Sequence, residues 1–156
     1  MRAVLDTNIL ARAAASPSGP AGELFERISA DHVLLVSSEL LDELSDVLGY
    51  EWVRRVNQRS DLDIEEFLGS VEGGAVLVPL PNPVPRVVPG DPDDDLVVAT
   101  AVAGTADVIC TLDGHFYQAE VREYCRERMI EIMADAELLA RLRKMEEEES
   151  FGDLLP

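Results

Sequence analysis

The sequence alternates short apolar runs with stretches of helical spacing, and a carboxylate follows most of the runs at once. The first run begins at Arg2 and ends at Asp6, and Thr7 and Asn8 lead directly into a helical pattern. Alternation of this kind predicts an α/β fold, with a mostly parallel central sheet of about five strands and helices on both faces. No apolar run approaches the roughly 20 residues that a membrane-spanning helix needs, so we expect no membrane association.

Hydrophobic periodicity places the elements along the chain. The predicted strands cover 2–6, 32–36, 75–80, 107–111 and 129–133. The predicted helices cover 8–15, 21–30, 38–48, 51–58, 63–71, 92–103, 117–127 and 136–144. We expect one domain over 1–145, with a helical insertion at about 50–72 and a mobile acidic tail at 146–156. A proline-rich loop precedes the helix at 92, and Val87-Val88 is a candidate edge segment within it.

Four carboxylates are predicted to meet at one edge of the sheet. Asp6 ends the first strand, and Asp113 follows the fourth strand. Glu43 lies at the edge of the apolar stripe of the helix after the second strand. Asp95 lies a full turn into a helix that is apolar on every side, where a buried charge needs compensation. Because the carboxyl ends of parallel strands form the working crevice of such folds, we expect a shared site.

A divalent cation would relieve the repulsion among these carboxylates, which cannot all stay ionised at low cost. Oxygen-only ligands suit Mg²⁺ or Mn²⁺ better than zinc, so one of these two is the expected cofactor. The expected supporting residues, which would hydrogen-bond to the acids or to metal-bound water, are Thr7, Asn8, Asp93 and Thr111. Helix capping is a sufficient explanation for Asp91 and Asp94, and a loop histidine such as His115 is more often solvated than catalytic.

The net charge restricts which kinds of partner the chain can bind. Asp and Glu number 31 against 13 Lys and Arg, which gives −18 at pH 7, and Lys144 is the one lysine. This balance argues against nucleic-acid binding by bulk electrostatics, because phosphate neutralisation needs Lys and Arg. Two explanations stay open: a high-salt host whose proteins are acidic throughout, or a basic partner that covers an acidic face.

The cellular compartment is inferred from the first apolar segment and from the two cysteines. Charges at Arg2 and Asp6 break the first apolar segment, so it is no signal peptide, and we expect a cytoplasmic protein. Cys110 and Cys125 have no zinc-like spacing. Both are therefore expected to be reduced, mostly buried thiols.

Four segments resemble, in order and spacing, the acidic motifs of PIN-domain ribonucleases. They are Asp6–Asn8, Ser38–Leu44, Asp91–Ala101 and Thr111–Phe116. Within the last three motifs, the acids of the family match Glu43, Asp95 and Asp113. The resemblance covers roughly 1–140 and is greatest to the toxin components of toxin–antitoxin pairs, the VapC-like proteins.

This resemblance implies a metal-dependent endoribonuclease that uses Mg²⁺ or Mn²⁺, with Asp6, Glu43, Asp95 and Asp113 as catalytic and metal-binding residues. It also implies an RNA substrate, an antitoxin protein that inserts at the acidic site, and a homodimer or higher oligomer. Cleavage would proceed by in-line attack of an activated water on a phosphodiester. The candidates for phosphate contacts are Arg12, Arg54, Arg55, Arg59 and Arg86.

Two other functions stay open at this stage. One is a PIN-like module that no longer cuts and acts as a binding or regulatory partner, against which the presence of all four acids argues. The other is a receiver-like phosphoryl-transfer domain, which also gathers carboxylates at a strand edge. Such domains usually add a lysine near the acids, whereas Lys144 lies far along the chain in the terminal helix.

Overall fold

A five-stranded, all-parallel sheet forms the centre of the computed structural model, which describes residues 1–50 and 60–152. The strands are β1 (Arg2–Leu5), β2 (Val33–Val36), β3 (Ala75–Leu77), β4 (Val108–Cys110) and β5 (Glu131–Met133). Their order in the sheet is β3-β2-β1-β4-β5, so the first strand in the chain is the central one. The predicted fold class is confirmed.

Seven helices of the described residues pack against this sheet. They are α1 (Thr7–Ala15), α2 (Pro20–Asp31), α3 (Ser38–Gly49), α4 (Asp61–Gly74), α5 (Pro92–Ala103), α6 (Ala119–Arg126) and α7 (Asp135–Gly152). A single 3₁₀ turn, Gly114–Tyr117, lies between β4 and α6. The predicted helix at 51–58 lies outside the described residues.

Alternate residues of the central strand face two separate cores. Ala3 and Leu5 belong to the core that α1, α2 and α7 cover, whereas Val4 belongs to the core beneath α5 and α6. All three are buried, as expected for a strand with helices on both faces. The apolar run at the start of the chain therefore has no polar face, which explains why its sequence does not alternate.

Local signals set the helix starts that matter for the site. Ser37 caps α3, since its hydroxyl accepts a hydrogen bond from the backbone N–H of Leu40. Asp91 caps α5 in the same way, with Pro92 in the first helical position. The capping role of Asp91 was predicted. The two caps fix where α3 and α5 begin, directly above the carboxyl ends of the strands.

The structure differs from the sequence prediction in the proline-rich loop and at the end of the last helix. Val87 and Val88 form no edge segment, because their backbone N–H groups bond to Asp95 instead of to a strand. The last helix does not end near Lys144 but continues to Gly152, so the described part of the acidic tail is helical. Its contact with α2, an ion pair between Arg27 and Glu146, accounts for part of this extension. The mobility of the tail stays a prediction.

Both cysteines are free and buried, as expected. Burial raises the pKa of the Cys110 thiol to about 12 and that of Cys125 to about 11, so neither is a reactive thiolate at neutral pH. Among the helices in the described ranges, none combines the length and apolarity that crossing a bilayer demands.

Candidate metal centre

Asp6 follows the central strand directly and is only 4% exposed. Its Oδ2 accepts a hydrogen bond from Thr111 Oγ1 at 2.7 Å, and its Oδ1 lies 3.3 Å from Thr7 Oγ1. Burial raises the pKa of Asp6, although the hydrogen bonds from these threonines oppose the rise. Asp6 is thus a buried carboxylate whose orientation two threonines fix.

Glu43 approaches Asp6 from α3. Thr7 Oγ1 lies 3.1 Å from Glu43 Oε1, so one hydroxyl lies between the two carboxylates. Glu43 Oε2 is buried and has no hydrogen-bond partner within the described part of the chain. Burial raises the pKa of Glu43 to about 7, and the negative charges of Asp6 and Asp94 add to this effect. Periodicity correctly placed Glu43 at the edge of the apolar stripe, facing inward.

Asp94, in the first turn of α5, is the third acid of the cluster. Its Oδ2 lies 3.0 Å from His115 Nδ1. Burial raises the pKa of Asp94 to about 6 against this hydrogen bond, and Asp113 and Asp6 are among the charges that raise it further. One donor atom each from Asp91, Asp94 and His115 lie within 4.8 Å of one another, a spacing that could hold a cation.

Asp95 does not join this cluster, contrary to the sequence expectation. Its Oδ1 accepts hydrogen bonds from the backbone N–H groups of Val87 and Val88, both at 2.7 Å. Its Oδ2 forms an ion pair with Arg86 Nε at 2.8 Å. Asp95 is 2% exposed and fixes the proline-rich loop to α5, while its Oδ2 has the ion pair with Arg86 but no hydrogen bond within the described part of the chain. Asp94, which capping seemed sufficient to explain, faces the other acids in its place.

Asp113 completes the cluster from the turn after β4. Its Oδ1 accepts a hydrogen bond from the backbone N–H of His115 at 2.9 Å. Its own N–H donates to Thr111 Oγ1, the hydroxyl that donates to Asp6. Tyr117 donates in turn to the carbonyl of Thr111 at 2.9 Å. A short hydrogen-bonded chain therefore joins the acids that follow the neighbouring strands β1 and β4.

The predicted supporting residues fall into two groups. Thr7 and Thr111 lie against Asp6, as just described. Asn8 and Asp93 are exposed, and Asp93 is close enough to contribute to the raised pKa of Glu43. Their roles in metal binding stay predictions.

The predicted phosphate contacts are less available than the sequence suggests. Arg12 pairs with the buried Asp135 at 2.8 Å, and Arg86 pairs with Asp95, although both arginine side chains remain at least half exposed. Arg54, Arg55 and Arg59 lie outside the described residues. Sequence reasoning missed Arg122, whose guanidinium carbon lies 5.6 Å from the centre of the Tyr117 ring. Helical spacing gave no signal for this contact, because Tyr117 ends the 3₁₀ turn and Arg122 lies in the separate helix α6.

Comparison with known proteins shows the family and the fold. The sequence matches the family model described as PIN domain over residues 2–115, which is more than half of the chain. This chain belongs to the PIN domain family. No curated protein matches it. The PIN domain is similar in fold to a chain in the crystal structure of VapBC2 from Rickettsia felis bound to a DNA fragment from their promoter. The TM-score is 0.52 at 16% identity, over 85% of this chain and 98% of that one.

Proposed function

We propose that this PIN domain is a metal-dependent endoribonuclease and the toxin of a toxin–antitoxin pair. The observation that carries the proposal is the buried Glu43 Oε2, which has no partner among the described residues and lies near Asp6 and Asp94, whose pKa values are raised like that of Glu43. A buried acceptor of this kind needs a partner to offset its desolvation. A divalent cation fits, since the surrounding donors are carboxylate oxygens from three separate elements.

The residues that would hold Mg²⁺ or Mn²⁺ are Asp6, Glu43, Asp94 and Asp113. Asp94 replaces Asp95 in this set for the geometric reasons given above. When bound, such a cation supplies an activated water and stabilises the leaving oxygen of a phosphodiester. The threonines at 7 and 111 orient Asp6, and their hydrogen bonds favour its ionised form, which is the one that binds metal.

RNA binding by so acidic a chain needs local rather than bulk positive charge. Arg122 is a candidate, because no carboxylate pairs with it in the described ranges and its partner Tyr117 bonds to the backbone of Thr111. Tyr117 itself offers an aromatic face for an unpaired base. An antitoxin partner is proposed from the fold likeness to the VapBC2 structure together with the family resemblance of the motifs.

The test is cleavage of single-stranded RNA by the purified protein in Mg²⁺ or Mn²⁺. Glu43→Gln and Asp6→Asn should abolish cleavage, whereas Asp42→Asn, an exposed neighbour on α3, should retain it. All variants should keep the circular dichroism of the parent and unfold in one cooperative thermal transition. Equal cleavage by the Glu43 and Asp42 variants would reject the proposal. Metal binding without cleavage of any RNA would favour the non-cutting module.

A further inference from the structure

His115 lies among the acids of this centre, although the sequence gives it no place there. We propose that His115 supplies a nitrogen ligand to the bound cation, so that the site prefers Mn²⁺ over Mg²⁺. The inference rests on the proposed function, since it concerns the same cation. It adds His115 to the proposed ligands, and it adds a preference for Mn²⁺ that carboxylate ligands alone would not give.

Distances around the imidazole support this assignment. Nδ1 lies 3.0 Å from Asp94 Oδ2 and 3.4 Å from Asp113 Oδ1, and those two acids come from α5 and from the turn after β4. Around an octahedral cation with bonds of about 2.1 Å, neighbouring ligand atoms are about 3 Å apart and opposite ones about 4.2 Å apart. The nitrogen thus lies from each oxygen at the distance of neighbouring ligands around one small cation, and donor atoms of Asp91, Asp94 and His115 all lie within 4.8 Å of one another.

The backbone holds His115 in this position. Its N–H donates to Asp113 Oδ1, and the next residue, Phe116, is completely buried and anchors the 3₁₀ turn in the core. The side chain of His115 is 47% exposed, so a hydrated cation can reach the ring from solvent. The second histidine, His32, follows α2 and lies near no acid of the site that the structure records.

The ligand chemistry sets the preference. Mg²⁺ binds oxygen and keeps several of its waters, whereas the first-row transition ions accept imidazole readily. Replacing one oxygen ligand by an imidazole nitrogen therefore strengthens Mn²⁺ binding with little gain for Mg²⁺. A neutral ligand also adds no further repulsion to a group of four carboxylates.

A direct test is the electron spin-echo modulation of Mn²⁺ bound to the full chain, which detects a coordinated nitrogen through its nuclear coupling. The parent protein should show a nitrogen coupling, His115→Gln should lose it, and His32→Gln should retain it. The chain has only these two histidines, so the pair of variants assigns the signal. Bound Mn²⁺ without nitrogen coupling in the parent would overturn the inference and leave the proposed function intact.

Calorimetry of Mn²⁺ and Mg²⁺ separates the two proposals further. His115→Gln should weaken Mn²⁺ binding by about tenfold or more, with a smaller change for Mg²⁺, so the preference for Mn²⁺ narrows. Asp94→Asn should weaken both ions. If the parent binds neither ion at millimolar concentration, the proposed function fails along with the inference. If the His115 variant keeps the parent's ratio of dissociation constants, only the inference fails.

Discussion

Asp94 and Asp95 are neighbours in the first turn of α5, but their carboxylates lie in different surroundings. Asp94 faces His115 and the acids of the metal centre, whereas Asp95 binds two backbone N–H groups and Arg86. Four of the five residues from 91 to 95 are aspartates, and the pattern alone does not show which one faces the crevice. The answer depends on the path of the proline-rich loop, which returns to α5 and occupies Asp95.

These surroundings predict opposite effects of two similar substitutions. Asp95→Asn should lower the free energy of unfolding by about 2 kcal/mol, because it removes the charge from a buried, hydrogen-bonded group and from its ion pair with Arg86. Asp94→Asn should leave stability unchanged or raise it, because it relieves repulsion, but it should weaken Mn²⁺ binding. Urea denaturation and calorimetry measure the two properties separately. Loss of metal binding in the Asp95 variant alone would restore the original sequence assignment.

Raised pKa values at the site predict that metal-free stability falls as the pH rises. Glu43 has a pKa of about 7 in the folded protein against an ordinary 4.5, so the folded state binds this proton more tightly than the unfolded state. The stabilisation is complete below the ordinary value and is lost as the pH rises through about 7. Asp94, with a pKa of about 6, acts in the same direction.

Chemical denaturation in chelator at about pH 5 and about pH 8 measures this dependence. The parent should be less stable at the higher pH, and Glu43→Gln should show a smaller difference. Mn²⁺ should reverse the trend, because its binding requires the deprotonated carboxylates. A parent whose stability rises over this range in chelator would contradict the proposed surroundings of Glu43.

At the scale of elements, the alternation of apolar runs and helical patterns determined most of the architecture. The five strands and the caps at Ser37 and Asp91 follow from buried runs and polar starts that local chemistry dictates. Features that depend on distant contacts could not be predicted. The extension of α7 reflects its packing on α2. Val87 and Val88 do not form an edge strand, because their N–H groups donate to Asp95 in the next helix.

The close approach of Gly22, near the start of α2, to the backbone of Pro17 provides a test of packing at the scale of elements. A Cβ added at Gly22 would lie 2.1 Å from the carbonyl oxygen of Pro17, which is a backbone atom and cannot rotate away. Gly22→Ala should therefore cost about 3 kcal/mol of stability. Gly69, exposed in α4, has nothing within 4 Å of such a Cβ, and Gly69→Ala should stabilise by about 0.5–1 kcal/mol. Equal midpoints for the two variants in urea would contradict this packing.

For the whole molecule, the excess of negative charge is the dominant property. Arginines in the described ranges are mostly paired with carboxylates, as in the ion pairs of Arg143 with Glu23 and of Arg27 with Glu146, which join α7 to α2. Many acids are left without a basic neighbour, since 31 face only 13 basic residues. Their mutual repulsion acts against the compact state.

Screening of this repulsion should stabilise the fold. The midpoint of thermal unfolding should rise between about 0.05 and about 1 M NaCl, because the Debye length shortens from beyond 10 Å to about 3 Å. Chelator is present throughout, so metal binding makes no contribution. Full stability at the lowest salt, with no further rise, would count against a high-salt host and favour a basic partner as the reason for the acidity.

The place of β1 in the sheet also has a consequence for synthesis on the ribosome. Asp6 and Glu43 belong to the first third of the chain, but the strand that pairs with the other side of β1, and the turn that carries Asp113, come more than sixty residues after Glu43. A nascent chain thus holds half of the centre, open on one side, until translation passes His115. Any activity of the site therefore begins only after the ribosome has made the chain through His115.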